Sequence, residues 1–532
     1  MTFNKTNTIK TQALIIGSGL AGSTAALILA DKGLEVTLIT SEKELLSGNS
    51  PLAQGGIVYK AAKENPKELE GDILNAGHNL NNHWAVRHLA RKGPEIVDKI
   101  LIDRLKIPFA KIKSDNAANA WDLAREGGHH SPCILHCADY TGLAIMQGVT
   151  KAVASHPNIK VLTQHTAIDL LTIHHHSQSK TYRYQVINKC CGAHVFDENN
   201  STVQTILADV TILASGGAGQ IFLHTTNNPS VIGSAFAMAS RALVRMTNLE
   251  YVQFHPTAFF DHAPSRFLIT EAMRGEGARL INAKGERFMK KYDQREELAP
   301  RDIVSQAIVN ELLTSGSPCV FLDTKTLKTD PKERFPTIYE HCLKSGIDIR
   351  KEPIPVVPAA HYFCGGILTN LWGETSLNNL YSIGECSCTG LHGANRLAST
   401  SLLEALVWGY QAAEHINKNI TSLRLSNRLL ESISDWKYIG NEKNDDPALI
   451  AQDWTTIRST TWNYVGIIRS HARLRRAFEE LRDLSTHVHD FYKLTTINKS
   501  LIDLFHGCQS AYVLTQAAMR NPKKLGCHNM ID

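Results

Sequence analysis

The apolar run Gln12–Ile16 is followed by Gly17-Ser18-Gly19-Leu20-Ala21-Gly22, a stretch with helical apolar spacing (STAALILADKG) and a second apolar run, EVTLIT. A strand that stops at a G-x-G-x-x-G turn and restarts as a helix leaves few folds open. It predicts the βαβ unit of a Rossmann-like α/β sheet. Lacking side chains, Gly17 and Gly19 let the backbone turn sharply and approach a pyrophosphate, whose charge the helix N-terminus stabilises. Gly22 lets helix and strand pack closely. Residues Gly17, Ser18, Gly19, Leu20, Ala21 and Gly22 are therefore expected to hold a dinucleotide. Near the end of the second strand, where an acidic ribose ligand is expected, stands Ser41 with Glu42 beside it.

A chain of 532 residues has room for three or four domains at about 100 to 200 residues each. Its 43% hydrophobic and 20% charged residues place it with globular proteins and against disorder. The net charge of +5 leaves no electrostatic footprint for nucleic acid or anionic lipid. Eleven scattered cysteines without a Cys-x-x-Cys pair argue for reduced thiols and against a disulfide frame or a metal site. The polar opening MTFNKTNTIKTQ does not read as a secretory leader. No window approaches the roughly 18 to 20 apolar residues that span a bilayer. A cytoplasmic protein is expected, with no membrane partner.

Two further buried runs, Ala208–Gly217 and Asn378–Glu385, read as strands of the same sheet separated by long insertions. The pattern predicts a discontinuous nucleotide-binding domain (residues 1–236 and 351–416), an inserted α+β capping domain (237–350) and a C-terminal helical domain (417–532). In the last, Leu474, Phe478 and Leu481 follow the helical period. The basic run Arg469–Arg476 reads as the polar face of a helix, and His174–His176 as a solvated loop. Cys364, Cys386 and Cys388 read as small packing residues.

Three separated stretches, Ser47–Ile57 (SGNSPLAQGGI), Ala214–Gly219 (ASGGAG) and Tyr381–Gly409, resemble the FAD contacts of the fumarate reductase and succinate dehydrogenase flavoprotein family. LEYVQFHPT (Leu249–Thr257), LITEAMRGEGARL (Leu268–Leu280), ELAPRDIV (Glu297–Val304) and VPAAHYFCGG (Val357–Gly366) follow in the order of that family, over about 400 residues in all. Within it, Leu123–Gly142 (LAREGGHHSPCILHCADYTG) is most similar to the L-aspartate oxidases, which open the bacterial route from aspartate through quinolinate to NAD. Family members that attach FAD covalently use a histidine where this chain has Asn49, so the resemblance implies noncovalent FAD. It implies further cofactor contacts at Asn49, Ser50, Ala53, Gln54, Gly55, Gly56, Ser234, Glu385, Ser401 and Leu402, in addition to Ser41 and Glu42.

Oxidising a dicarboxylic amino acid needs anchors for two carboxylates, a hydride acceptor and a group that manages a proton. Carboxylates taken out of water must meet cationic or hydrogen-bonding partners. By resemblance, Arg396 and His361 hold one carboxylate and His255 with Thr270 meets the other, with Gln253 nearby. Glu126 is the expected acceptor of the α-ammonium of aspartate, a group that succinate lacks. Arg301 is expected to move the proton, and the reverse step makes fumarate an electron acceptor alternative to oxygen. Quinolinate synthase is the partner the resemblance suggests for the product.

The sequence departs from the family at several places. Ser234 replaces an aspartate that touches FAD, Cys133 an arginine near the Glu126 segment, and Thr400 an asparagine before Ser401. The expected Ser-Arg-Gly-x-His near the C-terminus reads Lys524-Leu525-Gly526-Cys527-His528. Two alternatives stay open on the sequence: a soluble fumarate reductase with noncovalent FAD, and a catalytically weak flavoprotein that binds dicarboxylates.

Overall fold

The computed structural model describes residues 8–60, 65–112, 120–261, 263, 265–327, 329–438, 440–444 and 446–532. Its centre is a seven-stranded sheet. Thr8–Ile16 pairs in parallel with Val36–Ile39 on one side and with Thr202–Leu213 on the other. Ile159–Leu162 extends one edge, and Leu380–Ser382 joins Thr202–Leu213, both in parallel. Cys190–Asp197 and His165–Thr172 complete it antiparallel. The two runs expected after the βαβ unit thus return to one sheet from opposite sides of a long insertion. The helix Leu20–Asp31 is buried nearly throughout, as a crossover helix between sheet and covering layer must be.

The insertion builds a second, antiparallel sheet in the order Val252–Phe259, Ile354–Phe363, Val320–Asp323, Arg279–Ile281. Its second strand lies beyond residue 350, so the expected 350/351 division separates strands that are hydrogen-bonded to each other. The pairing is long-range, and local composition carries no trace of it. The expected boundaries at 236/237 and 416/417 fall inside the helices Ser234–Arg241 and Thr400–Leu423.

The C-terminal segment forms the helices Pro447–Val465, His471–Leu494 and Lys499–Arg520. Asp446, Ser470 and Asn498 cap them, each side chain accepting a first-turn N–H. These helices share an apolar core with the main sheet: Leu504, Cys508, Ala511 and Leu514 pack in one cluster with Ala167, Leu170 and Phe236. Ser510 Oγ donates to Gly233 O at 2.8 Å. The segment after them also docks: Cys527 N donates to Ala394 O at 3.0 Å, and Arg469 Nη1 donates to His528 Nδ1 at 2.6 Å. Arg469, expected on a polar face, is fully buried. It donates to the carbonyls of Val465, Gly466 and Glu250, which satisfy a guanidinium without water.

His174–His176 belongs to a short helix, Ile173–His176, rather than a loop. His176 Nδ1 accepts from Thr172 N at 3.1 Å. Among the described residues no cluster of His, Cys, Asp or Glu has metal-site geometry. Among the described residues no helix is long and apolar enough to cross a membrane. All eleven cysteines are buried free thiols.

Candidate active site

The strand–turn–helix unit can be built only with glycine. Gly17 has φ +114, and a Cβ there would sit 2.3 Å from Ala214 O. A Cβ at Gly22 would sit 2.0 Å from Gly17 O, so Gly22 underlies the turn and does not line the cavity it opens on, a correction to its expected place among the cofactor contacts. The helix Leu20–Asp31 starts after Gly19 without a side-chain cap; Leu20 N donates to Ser50 Oγ at 3.1 Å. From this turn runs one cavity of about 440 Å³. Its wall carries Gly17, Ser18, Gly19, Leu20 and Ala21 at one end, with Ser41 and Glu42, and continues through Asn49, Ser50, Ala53, Gln54, Gly55 and Gly56. Ser234, Glu385, Ser401 and Leu402 also line it.

These residues fit a dinucleotide by their own chemistry. Ser215 Oγ and Gln54 Oε1 are buried polar atoms without a hydrogen-bond partner among the described residues, and both residues line the cavity; such atoms are stable when a ligand meets them. Asn49 Oδ1 accepts from Asn228 N at 2.8 Å. Glu385 accepts from Phe363 N at 3.1 Å. Burial pushes the Glu385 carboxyl up to about 7, against the pull of that N–H and of Arg396.

The far end of the same cavity brings together Glu126, His255, Thr270, Arg301, His361 and Arg396. Strands of the second sheet deliver the two histidines, His255 from Val252–Phe259 and His361 from Ile354–Phe363. Their rings lie 5.1 Å apart. Burial, then the nearby Arg301, holds both imidazoles well below their ordinary range, so both are neutral. His255 Nδ1 lies 3.2 Å from both Thr257 N and Thr257 O, so the same residue offers this nitrogen a donor and an acceptor. His255 Nε2 is buried and meets no partner among the described residues. His361 Nδ1 lies 2.8 Å from Thr226 Oγ1.

Arg301 opens the helix Arg301–Ser315. Its Nε donates to Glu271 Oε2 at 2.5 Å and its Nη1 to Gln253 Oε1 at 3.1 Å. Nη2 makes no hydrogen bond to the described residues. Gln253, expected to touch substrate, instead stands behind Arg301 and does not line the cavity; its Nε2 donates to Asn395 Oδ1 and Arg396 O at 2.7 and 2.8 Å. Arg396 sits over the Tyr362 ring at 4.6 Å and donates to Ser401 Oγ at 3.4 Å. Its Nε is buried without a hydrogen-bond partner among the described residues. Burial, then the charge of Arg301, pushes the Arg396 guanidinium down to about 10. Tyr362 OH donates to Glu404, which also meets His392 Nε2 at 2.9 Å.

Glu126 Oε2 accepts from Ser399 Oγ at 2.6 Å, while Oε1 faces Gly55: a Cβ built there would lie 2.1 Å away. Thr270 caps the helix Glu271–Gly275. Cys133 lies outside this cavity, its Sγ 3.4 Å from His129 Nδ1; burial pushes its thiol up to about 12. Sequence reasoning passed over Glu271. Burial would raise this carboxyl, but Arg301 and Arg274 together outweigh burial and hold it below the usual range. The spacing of Glu271 and Arg274, i and i+3 inside LITEAMRGEG, was the available signal.

The FAD binding domain family matches residues 12–402. The L-aspartate oxidase of Vibrio cholerae is 39% identical over 524 residues, 98% of this chain and 95% of that protein. That of Pseudomonas aeruginosa is also 39% identical, with the same coverage of each. The chloroplastic L-aspartate oxidase of Arabidopsis thaliana is 37% identical, over 97% of this chain and 80% of its own. Among solved structures, the flavoprotein subunit of E. coli quinol fumarate reductase superposes with a TM-score of 0.86 at 26% identity, covering 99% of this chain and 92% of that one. Succinate dehydrogenase 1 of Mycobacterium smegmatis, at 24% identity, covers 99% of this chain and 89% of its own with a TM-score of 0.78, and so shares the fold. With that match along nearly its whole length, the chain belongs to the L-aspartate oxidase family of FAD-binding flavoproteins.

Proposed function

We propose that the chain oxidises L-aspartate to iminoaspartate with noncovalently held FAD, passing the electrons to oxygen or fumarate. The product leads to quinolinate and so to NAD; a quinolinate synthase is the partner that consumes it, and the cytoplasm is the compartment. One observation carries this reading. Two buried nitrogens that meet no partner among the described residues, His255 Nε2 and Arg396 Nε, belong to side chains that share a cavity with the carboxylate of Glu126, as a substrate with two carboxylates and one ammonium requires.

FAD, when bound along the glycine turn, supplies the hydride acceptor. Arg396 and His361 hold one substrate carboxylate, and His255 with Thr270 meets the other. Charge-assisted bonds of this kind offset the loss of water that a dianion suffers on entering a closed cavity. Glu126 accepts from the α-ammonium and so fixes which substrate carbon faces the cofactor. Arg301 carries the proton at Nη2, the nitrogen that Glu271 and Gln253 leave unengaged. Positioned proton transfer of this sort is worth about 10²- to 10⁴-fold in rate.

The test is to incubate the purified yellow protein under air with L-aspartate or with succinate and to follow peroxide. Peroxide from aspartate alone is the expected result. Oxidation of succinate alone would make the protein a soluble fumarate reductase, and no turnover of either would leave a dicarboxylate-binding flavoprotein.

A further inference from the structure

Ser399 immediately precedes the long helix Thr400–Leu423, in the place where a serine ordinarily turns its hydroxyl onto the first-turn N–H groups. Here it does not: the helix has no side-chain cap. The backbone of Ser399 is left-handed, φ 57 and ψ 11, a conformation uncommon for a residue with a Cβ. This conformation sends the hydroxyl away from the helix and onto Glu126 Oε2, 2.6 Å away.

The surroundings hold Ser399 in that state. Its carbonyl accepts from Val58 N at 3.2 Å. The preceding carbonyl, Ala398 O, accepts from His129 Nε2 at 2.9 Å. His129 N in turn donates to Glu126 O at 3.3 Å. The turn 126–129 is therefore clamped to the segment 398–399 at both ends, once through Glu126 and once through His129. With His129 Nε2 as donor, Nδ1 is the acceptor, and the Cys133 thiol lies 3.4 Å from it.

We infer that Ser399 is a positioning residue for substrate choice: its hydroxyl occupies Oε2 of Glu126 and so turns Oε1 toward the opening at Gly55, where an α-ammonium can be met. This rests on the proposed role of Glu126. The reason a tether is needed lies in the charges around it. Arg301 and Arg396 are buried and line the same cavity as Glu126, so a carboxylate free to rotate would have cations, and not only an ammonium, to answer to. Ser399 Oγ makes the only hydrogen bond to the Glu126 side chain among the described residues.

The experiment is a double-mutant cycle of Ser399→Gly and Glu126→Gln on the flavin-containing protein, assayed for aspartate oxidation and for fumarate reduction. Glycine adopts the left-handed backbone freely, so Ser399→Gly removes the hydroxyl without forcing the chain. Loss of a bond to a charged group should lower kcat/KM for aspartate about tenfold or more, with fumarate reduction and succinate binding, followed by flavin absorbance, within about twofold. In the Glu126→Gln background the same change should have almost no effect on aspartate. The inference is overturned if Ser399→Gly leaves aspartate kinetics unchanged, weakens both substrates equally, or acts equally in both backgrounds. If Glu126→Gln itself fails to separate aspartate from fumarate, the reading of Glu126 falls first, and the two failures are told apart by that arm alone.

Discussion

Arg301 and Glu271 form a buried ion pair, Nε to Oε2 at 2.5 Å, and the second oxygen of Glu271 lies 3.5 Å from Arg274 Nη2. The carboxylate thus sits between two guanidiniums and fixes Arg301 through Nε, at the wall of the cavity that both residues line. A carboxylate so placed holds the orientation of Arg301 and offsets its charge where water is excluded.

Glu271→Gln keeps the shape and an acceptor oxygen but removes the negative charge that Arg301 pairs with and Arg274 shares. Breaking a buried pair costs about 3 to 5 kcal/mol, and the orientation of Arg301 goes with it. Turnover of aspartate and of fumarate should both fall by about 10²-fold or more, with flavin still bound. Steady-state assays on the two substrates check this; near-normal turnover would mean that Arg301 is positioned without Glu271.

The cofactor should be removable. Asn49 can form no histidyl bond to a flavin, and its side chain already accepts from Asn228 N. On acid precipitation the yellow colour should leave with the supernatant. Flavin fluorescence that stays with the washed polypeptide would show a covalent link.

Local sequence carried the βαβ unit because period, glycine spacing and element order all agree around Gly17–Gly22. It also put Glu126, His255, Arg301, His361 and Arg396 into one site, since each lies within a motif of recognisable order. What it could not carry was relative depth. Gln253 lies two residues before His255 on the same strand, where regular alternation would put both on one face; the register shift between Gln253 and Phe254 breaks that alternation, and Gln253 ends behind Arg301. Arg469 reads as a solvated charge beside Arg473 and Arg476, yet it is buried, because the sequence-distant Glu250 carbonyl and His528 join the nearby carbonyls of Val465 and Gly466 around it. Ser399 stands at the start of a helix, where a serine ordinarily caps, and the sequence carries no sign of the left-handed backbone that accompanies its bond to Glu126.

Glu385 makes the flavin-free protein sensitive to pH. Its carboxyl is raised from 4.5 to about 7 in the folded chain, mainly by burial. Between those values the folded state binds more protons than the unfolded state, so this group's contribution falls as pH rises from about 4.5 to 7 and is constant above. At 1.36 kcal/mol per unit the cost at pH 8 is at most about 3 kcal/mol. Glu385→Gln removes it, while its amide oxygen can still accept from Phe363 N. Denaturation of the flavin-free proteins should show the variant gaining on the parent between pH 5 and pH 8. A constant difference across that range would mean that Glu385 ionises as an ordinary carboxyl.

Two adjacent glycines should behave differently when given a methyl group. At Gly56, with φ +155, a Cβ would sit 2.4 Å from both Ile134 Cγ2 and Leu135 O; a backbone oxygen cannot step aside without moving the strand. Gly56→Ala should therefore lower the thermal midpoint and the flavin content. At Gly55 the conflict is with the far end of a side chain, Glu126 Oε1 at 2.1 Å. A carboxylate can swing away, so Gly55→Ala should fold and keep FAD, yet displace the oxygen that the ammonium needs. Aspartate oxidation should fall about tenfold or more, as for loss of a charge-assisted bond, while fumarate, which has no ammonium, is reduced at nearly the parental rate. Thermal unfolding, flavin content and the two assays on both variants decide it. If Gly55→Ala loses flavin as Gly56→Ala does, Gly55 is there for the cofactor; if it keeps flavin and oxidises aspartate normally, Oε1 of Glu126 is not the atom that reads the amino group.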